Sequence, residues 1–316
     1  MSVVLHLLCG ATGLGPSEMR RLVESAPERY KEFEIPKRKG GVRKIAQPSR
    51  EIKFLQRIFM REFLEALPIH EAATAYRKGF TLARNAVPHA GPGRPILKID
   101  LKDFFLSLRS RDWGRYCLQT HILEDPEDIR LSERLLFYRP LGGRVLRLSV
   151  GAPSSPMVSN ILMFEIDSRI SESISSDEVV YTRYADDMTF SARRTGYMVR
   201  VKKNVTNVIR EVQYPKLSIN RQKTTYATAR YHREVTGLVL ANDGRVTIGR
   251  DKKRIVSSKV YHFKSGDLSE KEISALAGLL AYINSVEPQF IGRLQSKYGE
   301  EVIGEIFAES GKIHRA

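Results

Sequence analysis

Val179-Val180-Tyr181-Thr182-Arg183-Tyr184-Ala185-Asp186-Asp187-Met188-Thr189-Phe190-Ser191-Ala192 sets two adjacent aspartates in the middle of a run rich in Val, Tyr, Thr and Phe. Branched and aromatic residues suit a pleated strand, whereas aspartate suits a turn because its side chain bonds to nearby backbone. The stretch is predicted to be a β-hairpin with Asp186 and Asp187 at its turn. A second strand is predicted over Ile96–Leu101, where Leu97, Ile99 and Leu101 share one face and Ile96, Lys98 and Asp100 the other. Helical spacing surrounds these strands. Apolar residues recur at Ile52, Leu55, Ile58, Phe59, Phe63 and Leu67. A single helix is predicted through Val158, Leu162, Ile166, Ile170 and Ile174, opened by Ser154-Ser155-Pro156. Another runs through Ile273, Leu276, Ala277, Leu280 and Ile283 and stops before Pro288, and Pro16-Ser17-Glu18 opens a shorter one through Leu22 and Val23. Strands interleaved with helices predict an α+β class.

The 316 residues carry 52 Lys and Arg against 36 Asp and Glu, a formal charge of +16. An excess this large points to a polyanionic partner, nucleic acid first. Cys9 and Cys117, the two cysteines, cannot supply a disulfide framework or a four-cysteine zinc site, and a reduced, cytoplasmic setting is expected. No apolar run approaches the roughly 20 residues that span a bilayer, so no membrane partner is expected. Val3–Cys9 is apolar but short and lacks preceding basic residues, which makes it a poor signal peptide. Gly10, Gly13 and Gly15 are not followed by Gly-Lys-Ser/Thr, so a turn is expected there and not a phosphate loop. Near residue 241 the pattern changes to Arg250, Lys252, Lys253, Arg254, Lys259 and Lys264 followed by helical spacing. This predicts one domain over 1–240 and a second over 241–316.

In so basic a chain, the acidity of Asp100, Asp103, Asp186 and Asp187 is out of character. Two carboxylates about 4 Å apart repel by roughly 4 kcal/mol at an effective dielectric of 20. Convergence of Asp100 and Asp186 therefore calls for positive charge. Open carboxylate oxygens suit Mg²⁺, which keeps waters and is completed by substrate phosphates. A pair of such ions can clamp the attacking and leaving oxygens of a phosphoryl transfer. Taken alone, the acidic pair reads as a turn, where aspartate is common; the flanking hairpin and the second strand ending in Asp100 favour the catalytic role.

Several segments together resemble the reverse transcriptases. Tyr184-Ala185-Asp186-Asp187 is similar to their Tyr-x-Asp-Asp box, and Ile99-Asp100-Leu101-Lys102-Asp103-Phe104-Phe105 to their first catalytic strand. Gly151-Ala152-Pro153-Ser154-Ser155-Pro156 resembles the segment on the template side before the palm helix. Ile35-Pro36-Lys37 with Gly40-Gly41 and Arg43 resembles the fingers motif, and Leu217-Ser218-Ile219-Asn220 with Lys223 the segment after the catalytic hairpin. Asn85-Ala86-Val87-Pro88-His89 and Val235-Thr236-Gly237 are similar to elements of the bacterial retron enzymes. Val150 departs from the Gln usual before Gly-Ala-Pro, and Leu106 from the proline of Phe-Phe-Pro-Ser. The first departure removes an amide and bears on substrate handling more than on the reaction.

The resemblance implies a right-hand polymerase fold of fingers, palm and thumb, with an antiparallel palm sheet backed by helices and a mostly helical thumb. It implies that Asp100, Asp186 and Asp187 are the catalytic carboxylates, and that two Mg²⁺ ions are held at Asp100, Leu101, Asp186 and Asp187. Asp103, on the opposite face by strict alternation, is either a further ligand or a turn cap. Phe105 is expected as a steric gate against a ribose 2′-hydroxyl, with core packing the alternative. Within the basic run Lys37, Lys39, Arg43 and Lys44, Lys37 and Arg43 are expected on the incoming triphosphate, where a guanidinium binds phosphate bidentately; a solvated hairpin tip is the alternative. Lys223 is expected to protonate the leaving pyrophosphate or to be plain surface, and Tyr184 to pack near the primer end. Nucleic acid is expected at Asn85, His89, Ser155, Pro156, Lys252, Lys253 and Arg254. Tyr261, Phe263 and Tyr282 either stack on bases or fill the core of the C-terminal domain.

The function implied is RNA-directed DNA synthesis on a cognate structured noncoding RNA, primed from a guanosine 2′-hydroxyl and giving branched multicopy single-stranded DNA. Further implied are deoxynucleoside triphosphates as substrates, a separate effector (toxin) protein in anti-phage defence, and trimming of the RNA by host RNase H. Alternatives are a group II intron or diversity-generating enzyme, a scaffold that holds RNA or hybrid and restrains a toxin, and a palm-fold nucleotidyl cyclase.

Overall fold

The computed structural model describes residues 2–37, 40–175 and 178–313. In chain order its first elements are α1 (Val3–Thr12), α2 (Pro16–Glu24), β1 (Tyr30–Pro36), β2 (Val42–Pro48), α3 (Arg50–Glu62), α4 (Leu82–Ala86), β3 (Ile96–Leu101) and α5 (Phe104–Ser107). There follow α6 (Ser110–Thr120), α7 (Pro126–Leu136), α8 (Ser155–Leu162), α9 (Phe164–Ile174), β4 (Val180–Tyr184), β5 (Asp187–Ser191), α10 (Tyr197–Glu211) and β6 (Ile219–Ala227). The last are β7 (Glu234–Val235), β8 (Leu238–Leu240), β9 (Val246–Thr247), α11 (Arg250–Lys264), α12 (Glu270–Val286), α13 (Pro288–Tyr298) and α14 (Glu300–Ile313). Among the described residues no helix is long and apolar enough to cross a membrane.

The chain divides into two compact units. The first comprises 1–77, 97–190 and 196–225. Its centre is a four-stranded sheet of order β4-β5-β3-β6, which places the predicted hairpin beside the predicted second strand. Met188 and Phe190 of β5 and Ile99 and Leu101 of β3 are buried, as are Val158, Ile161, Ile166 and Ile170 of α8 and α9. Burying such side chains is what holds a sheet and its helices together, at about 25 cal/mol per Å² of apolar surface. The predicted single helix over 158–174 is instead two, interrupted at Met163. A stripe spaced by four residues drifts about 40° around a helix per step, so one straight helix would carry it off the buried face.

The fingers-like hairpin pairs β1 with β2 antiparallel, with Ile35 opposite Arg43 and Glu34 opposite Lys44. Gly40 and Gly41 both take positive φ, 88° and 79°, at its tip, where a Cβ would be strained. At Gly151, φ is 135° and an added Cβ would lie 2.9 Å from the Ala46 carbonyl oxygen. Glycine is what allows the Gly-Ala-Pro segment to close on β2, where the Ala46 N–H donates to the Val150 carbonyl at 3.0 Å. The apolar Val3–Cys9 stretch lies within α1, with Val4, Leu5 and Leu8 buried.

The second unit comprises 78–96, 191–195 and 226–316. Val256, Val260, Leu276, Leu280, Ile283, Leu294 and Ile306 from α11 to α14 form one buried cluster with Val235, Leu238 and Ile96. Phe263 and Tyr282 pack against it, which answers their alternative in favour of the core, while Tyr261 is 58% exposed. Thr236 and Gly237 link β7 to β8 with φ of 48° and 82°, two consecutive positive values that match a type I′ hairpin turn.

Candidate active site

β3 ends at Leu101, and the turn of the β4-β5 hairpin lies beside that end. The Leu101 N–H donates to the Asp186 carbonyl at 2.9 Å. Together with the pairing of β5 and β3, this bond sets the end of β3, with Asp100, beside the turn that carries Asp186 and Asp187. Ala185 enters the turn at φ 57°, and Asp187 is already the first residue of β5. Asp103 is exposed and turns the chain out of β3 at φ 47°, its carbonyl accepting from the Ser107 N–H at 2.8 Å. It therefore acts in the turn.

Two lysines answer the acidity. Lys223 Nζ reaches Asp100 Oδ2 at 3.0 Å, and Lys98 Nζ reaches Asp187 Oδ2 at 3.3 Å. Burial raises the carboxyl of Asp186 above the ordinary aspartate range, opposed by its own backbone N–H and reinforced by Asp100 and Asp187. Burial likewise raises Asp187, with Lys98 pulling it down and Asp100 pushing it up. The other oxygen of Asp100, Oδ1, is buried without a hydrogen-bond partner among the described residues. An orphaned carboxylate oxygen beside two further carboxylates is a donor set for a hard cation. Among the described residues no group of three or more His, Cys, Asp or Glu forms a ready-made cage. The Leu101 side chain has no ligating atom and its N–H is spent on Asp186, so only its carbonyl can contribute.

Beneath the turn lies a buried polar network that sequence reasoning missed. Arg183 and Asp167 are both fully buried; Nε and Nη2 of the guanidinium hold the carboxylate at 2.7–3.1 Å. The remaining Nη1 donates to the Ala185 carbonyl at 3.1 Å and to Asn160 Oδ1 at 3.2 Å. Tyr181 Oη donates to Asp167 Oδ1 at 2.7 Å, and Asn160 Nδ2 to the Ala75 carbonyl at 2.9 Å. The aspartate turn thus hangs from helices α8 and α9. One sequence signal was available: Asp167 interrupts the apolar stripe between Ile166 and Ile170. Lys98 could likewise have been found, because it shares a strand face with Asp100. Tyr76 had no such signal. Its ring lies 6.3 Å from those of both Phe105 and Tyr184, centroid to centroid.

Arg43 is exposed on β2 and Lys37 is exposed at the end of β1; Lys39 lies outside the described residues. Phe105, on α5, packs against Phe104 at 5.5 Å as well as Tyr76. Ser155 and Pro156 open α8, but Ser155 is buried and presents no side chain to nucleic acid.

Asn85 and His89 are corrected too. They are 1% and 0% exposed, so neither offers a surface to nucleic acid. His89 Nδ1 is 2.8 Å from Ser191 Oγ, and burial, with a smaller contribution from Arg94, pushes its imidazole down to about 3. Thr236 Oγ1 donates to the Leu82 carbonyl at 3.4 Å, which ties the Val235–Gly237 element to α4, the helix that carries Asn85. On α11, Lys252 and Arg254 are exposed, although Lys252 Nζ also donates to the Gly237 carbonyl at 2.7 Å. Lys253 is committed to Glu287 at 2.5 Å, a carboxylate that also accepts from Thr247 and Ile248.

The chain is similar to known proteins. The family described as reverse transcriptase (RNA-dependent DNA polymerase) matches residues 35–241. The retron Ec83 reverse transcriptase of Escherichia coli is 35% identical over 92% of this chain and 94% of its own length. The retron Ec86 reverse transcriptase of the same species is 33% identical over 95% and 92%. Telomerase from Candida albicans, solved with the TWJ fragment of telomeric RNA, is similar over 92% of this chain and 56% of that chain, with a TM-score of 0.53 at 12% identity. That likeness concerns the fold alone, the right-hand polymerase architecture. With the aspartate box, the strand it meets and full-length likeness to curated enzymes in agreement, the chain belongs to the bacterial retron reverse transcriptases, which are RNA-directed DNA polymerases.

Proposed function

We propose that this polymerase copies a structured noncoding RNA that also primes synthesis, from the 2′-hydroxyl of a guanosine, and that its product is branched multicopy single-stranded DNA. The observation that carries the chemistry is the meeting of Asp100, Asp186 and Asp187 at one backbone-locked point, faced by Lys98 and Lys223. The retron-specific part rests on likeness to the Ec83 and Ec86 enzymes over nearly the whole chain.

Asp100 and Asp186, with Asp187 and the Leu101 carbonyl beside them, are the residues that would hold two Mg²⁺ ions. Bound there, the ions would lower the pKa of the primer hydroxyl and stabilise the pyrophosphate. The chain's own residues do the rest. Arg43 and Lys37 bind the triphosphate from the β1-β2 hairpin. Phe105 closes on the sugar and excludes a 2′-hydroxyl. Lys223, beside Asp100, gives its proton to the departing pyrophosphate. Residues 241–316 act as the thumb, with Lys252 and Arg254 of α11 on the phosphate backbone; Lys253 supports them through Glu287. Pro156 lies at the template side. Asn85 and His89 shape the second unit from within.

In the cell, we place the protein in the cytoplasm within a defence system that includes a separate effector protein, with host RNase H trimming the template RNA. The test is to purify the protein from its native locus and treat the nucleic acid bound to it separately with RNase, DNase and a debranching enzyme. The expected result is a discrete DNA joined to RNA, released by debranching and missing from an Asp186→Asn/Asp187→Asn variant. Unbranched or heterogeneous DNA would remove the self-priming step while leaving the polymerase.

A further inference from the structure

The chain reaches Tyr76 along a buried rail. Ala72, Ala73, Thr74 and Ala75 are each at most 6% exposed, and Tyr76 that follows is 47% exposed. The rail is fixed by backbone bonds to β4: the Arg183 N–H donates to the Ala72 carbonyl at 2.7 Å, and the Thr74 N–H to the Arg183 carbonyl at 2.9 Å. Asn160 holds the Ala75 carbonyl. At the point of emergence Tyr76 adopts φ 62°, a region costly for a bulky side chain and tolerated where the surroundings impose it. What the strain accomplishes is the placement of one ring, tilted at 34° to Phe105 and 37° to Tyr184. The Tyr76 hydroxyl feels the active site electrostatically. Burial, first, and then Asp186 and Tyr184 raise its pKa, while Arg43 and Arg183 lower it.

We propose that Tyr76 is a specificity-determining residue: its ring braces Phe105 and, with Tyr184, completes an aromatic wall on which the sugar of the incoming deoxyribonucleoside triphosphate packs. A ribose would press its extra hydroxyl against that wall, unpaired and crowded. The proposal rests on the assignment of Asp100, Asp186 and Asp187 as the polymerising carboxylates and of Phe105 as the sugar gate.

The test is single-nucleotide incorporation by the full chain on an RNA template with a DNA primer, reading kcat/KM for dGTP and GTP opposite cytidine. Tyr76→Gly removes the ring and also suits φ 62°, so a protein at least as thermally stable as wild type is expected. Tyr76→Asn, which also tolerates that conformation, repeats the measurement should the glycine variant fail to fold. The preference for dGTP over GTP is expected to fall about tenfold or more, the scale of one lost contact in a substrate pocket. Affinity for the primer–template is expected to stay unchanged, and Tyr76→Phe is expected to keep the wild-type preference. An unchanged preference in the glycine or asparagine variant overturns the proposal. So does a variant that binds primer–template but incorporates neither nucleotide, because a specificity residue leaves turnover of the competing nucleotide in place. Phe105→Ala is run in parallel: an intact preference there overturns the gate assignment on which the proposal rests, whereas a lost preference there with an intact one in Tyr76→Gly overturns the role of Tyr76 alone.

Discussion

The Arg183 guanidinium, fully buried, is clamped by Asp167 and spends its last nitrogen on the Ala185 carbonyl, 3.1 Å away in the turn that carries Asp186. An ion pair in the core contributes little net stability, because both charges lose their water. Its value here is geometric: it ties the aspartate turn to α9.

Removing one partner should therefore be far worse than removing both. Asp167→Ala leaves the guanidinium buried without its counter-charge and is expected to cost about 3–5 kcal/mol in urea unfolding. The double variant Asp167→Leu/Arg183→Met is expected to recover much of that stability and yet incorporate nucleotide slowly, since the Ala185 carbonyl has lost its donor. Equal recovery of stability and rate would show that the pair does not position the turn.

His89 gives the protein a specific acid lability. Its folded pKa of about 3 lies below the unfolded value of about 6.5. The unfolded chain then binds the extra proton between these values, so the stability present above pH 6.5 is lost as pH falls toward 3. At pH 5 the loss is roughly 2 kcal/mol. His89→Gln is expected to flatten the dependence of Tm on pH between 7 and 5; slopes matching wild type would count against a neutral buried imidazole.

On α11 neighbouring basic residues should behave differently. Each phosphate contact adds about 0.7–0.9 to the slope of log affinity against log salt. Arg254→Ala is expected to lower that slope by about this amount for RNA while Tm holds. Lys253→Ala is expected to lower Tm, because the half-buried Glu287 carboxylate then loses its closest partner. Fluorescence anisotropy across salt concentrations and thermal melts separate the two.

A ligand that binds only the folded chain stabilises it, by about 2.7 kcal/mol at a hundred times its Kd. Mg²⁺ is expected to raise the Tm of wild type and to leave Asp100→Asn/Asp186→Asn unmoved. A Tm rise of equal size in that variant would place the ion elsewhere.

The strands that carry the aspartates were legible because alternation and turn chemistry act over a few residues: Ile96–Leu101 and the 179–192 hairpin formed as expected around Asp100 and Asp186. What was not legible depends on distant partners. The partner of His89 is Ser191, and nothing near either residue announces that both are buried. Asp167 and Arg183 show as charges in apolar settings, but only the fold pairs them. The break at Met163 and the φ of Tyr76 are imposed by packing. Lys253 has the same local sequence character as Arg254, and Glu287, 34 residues on, is what separates them.

The most direct test of the central claim is extension of a primed RNA template with deoxynucleotides by wild type and by Asp186→Asn/Asp187→Asn, after the two are matched for Tm and RNA affinity. Extension by wild type and none by the variant is the expected result. Extension retained at the wild-type rate in the variant would contradict the assignment of these carboxylates to the reaction.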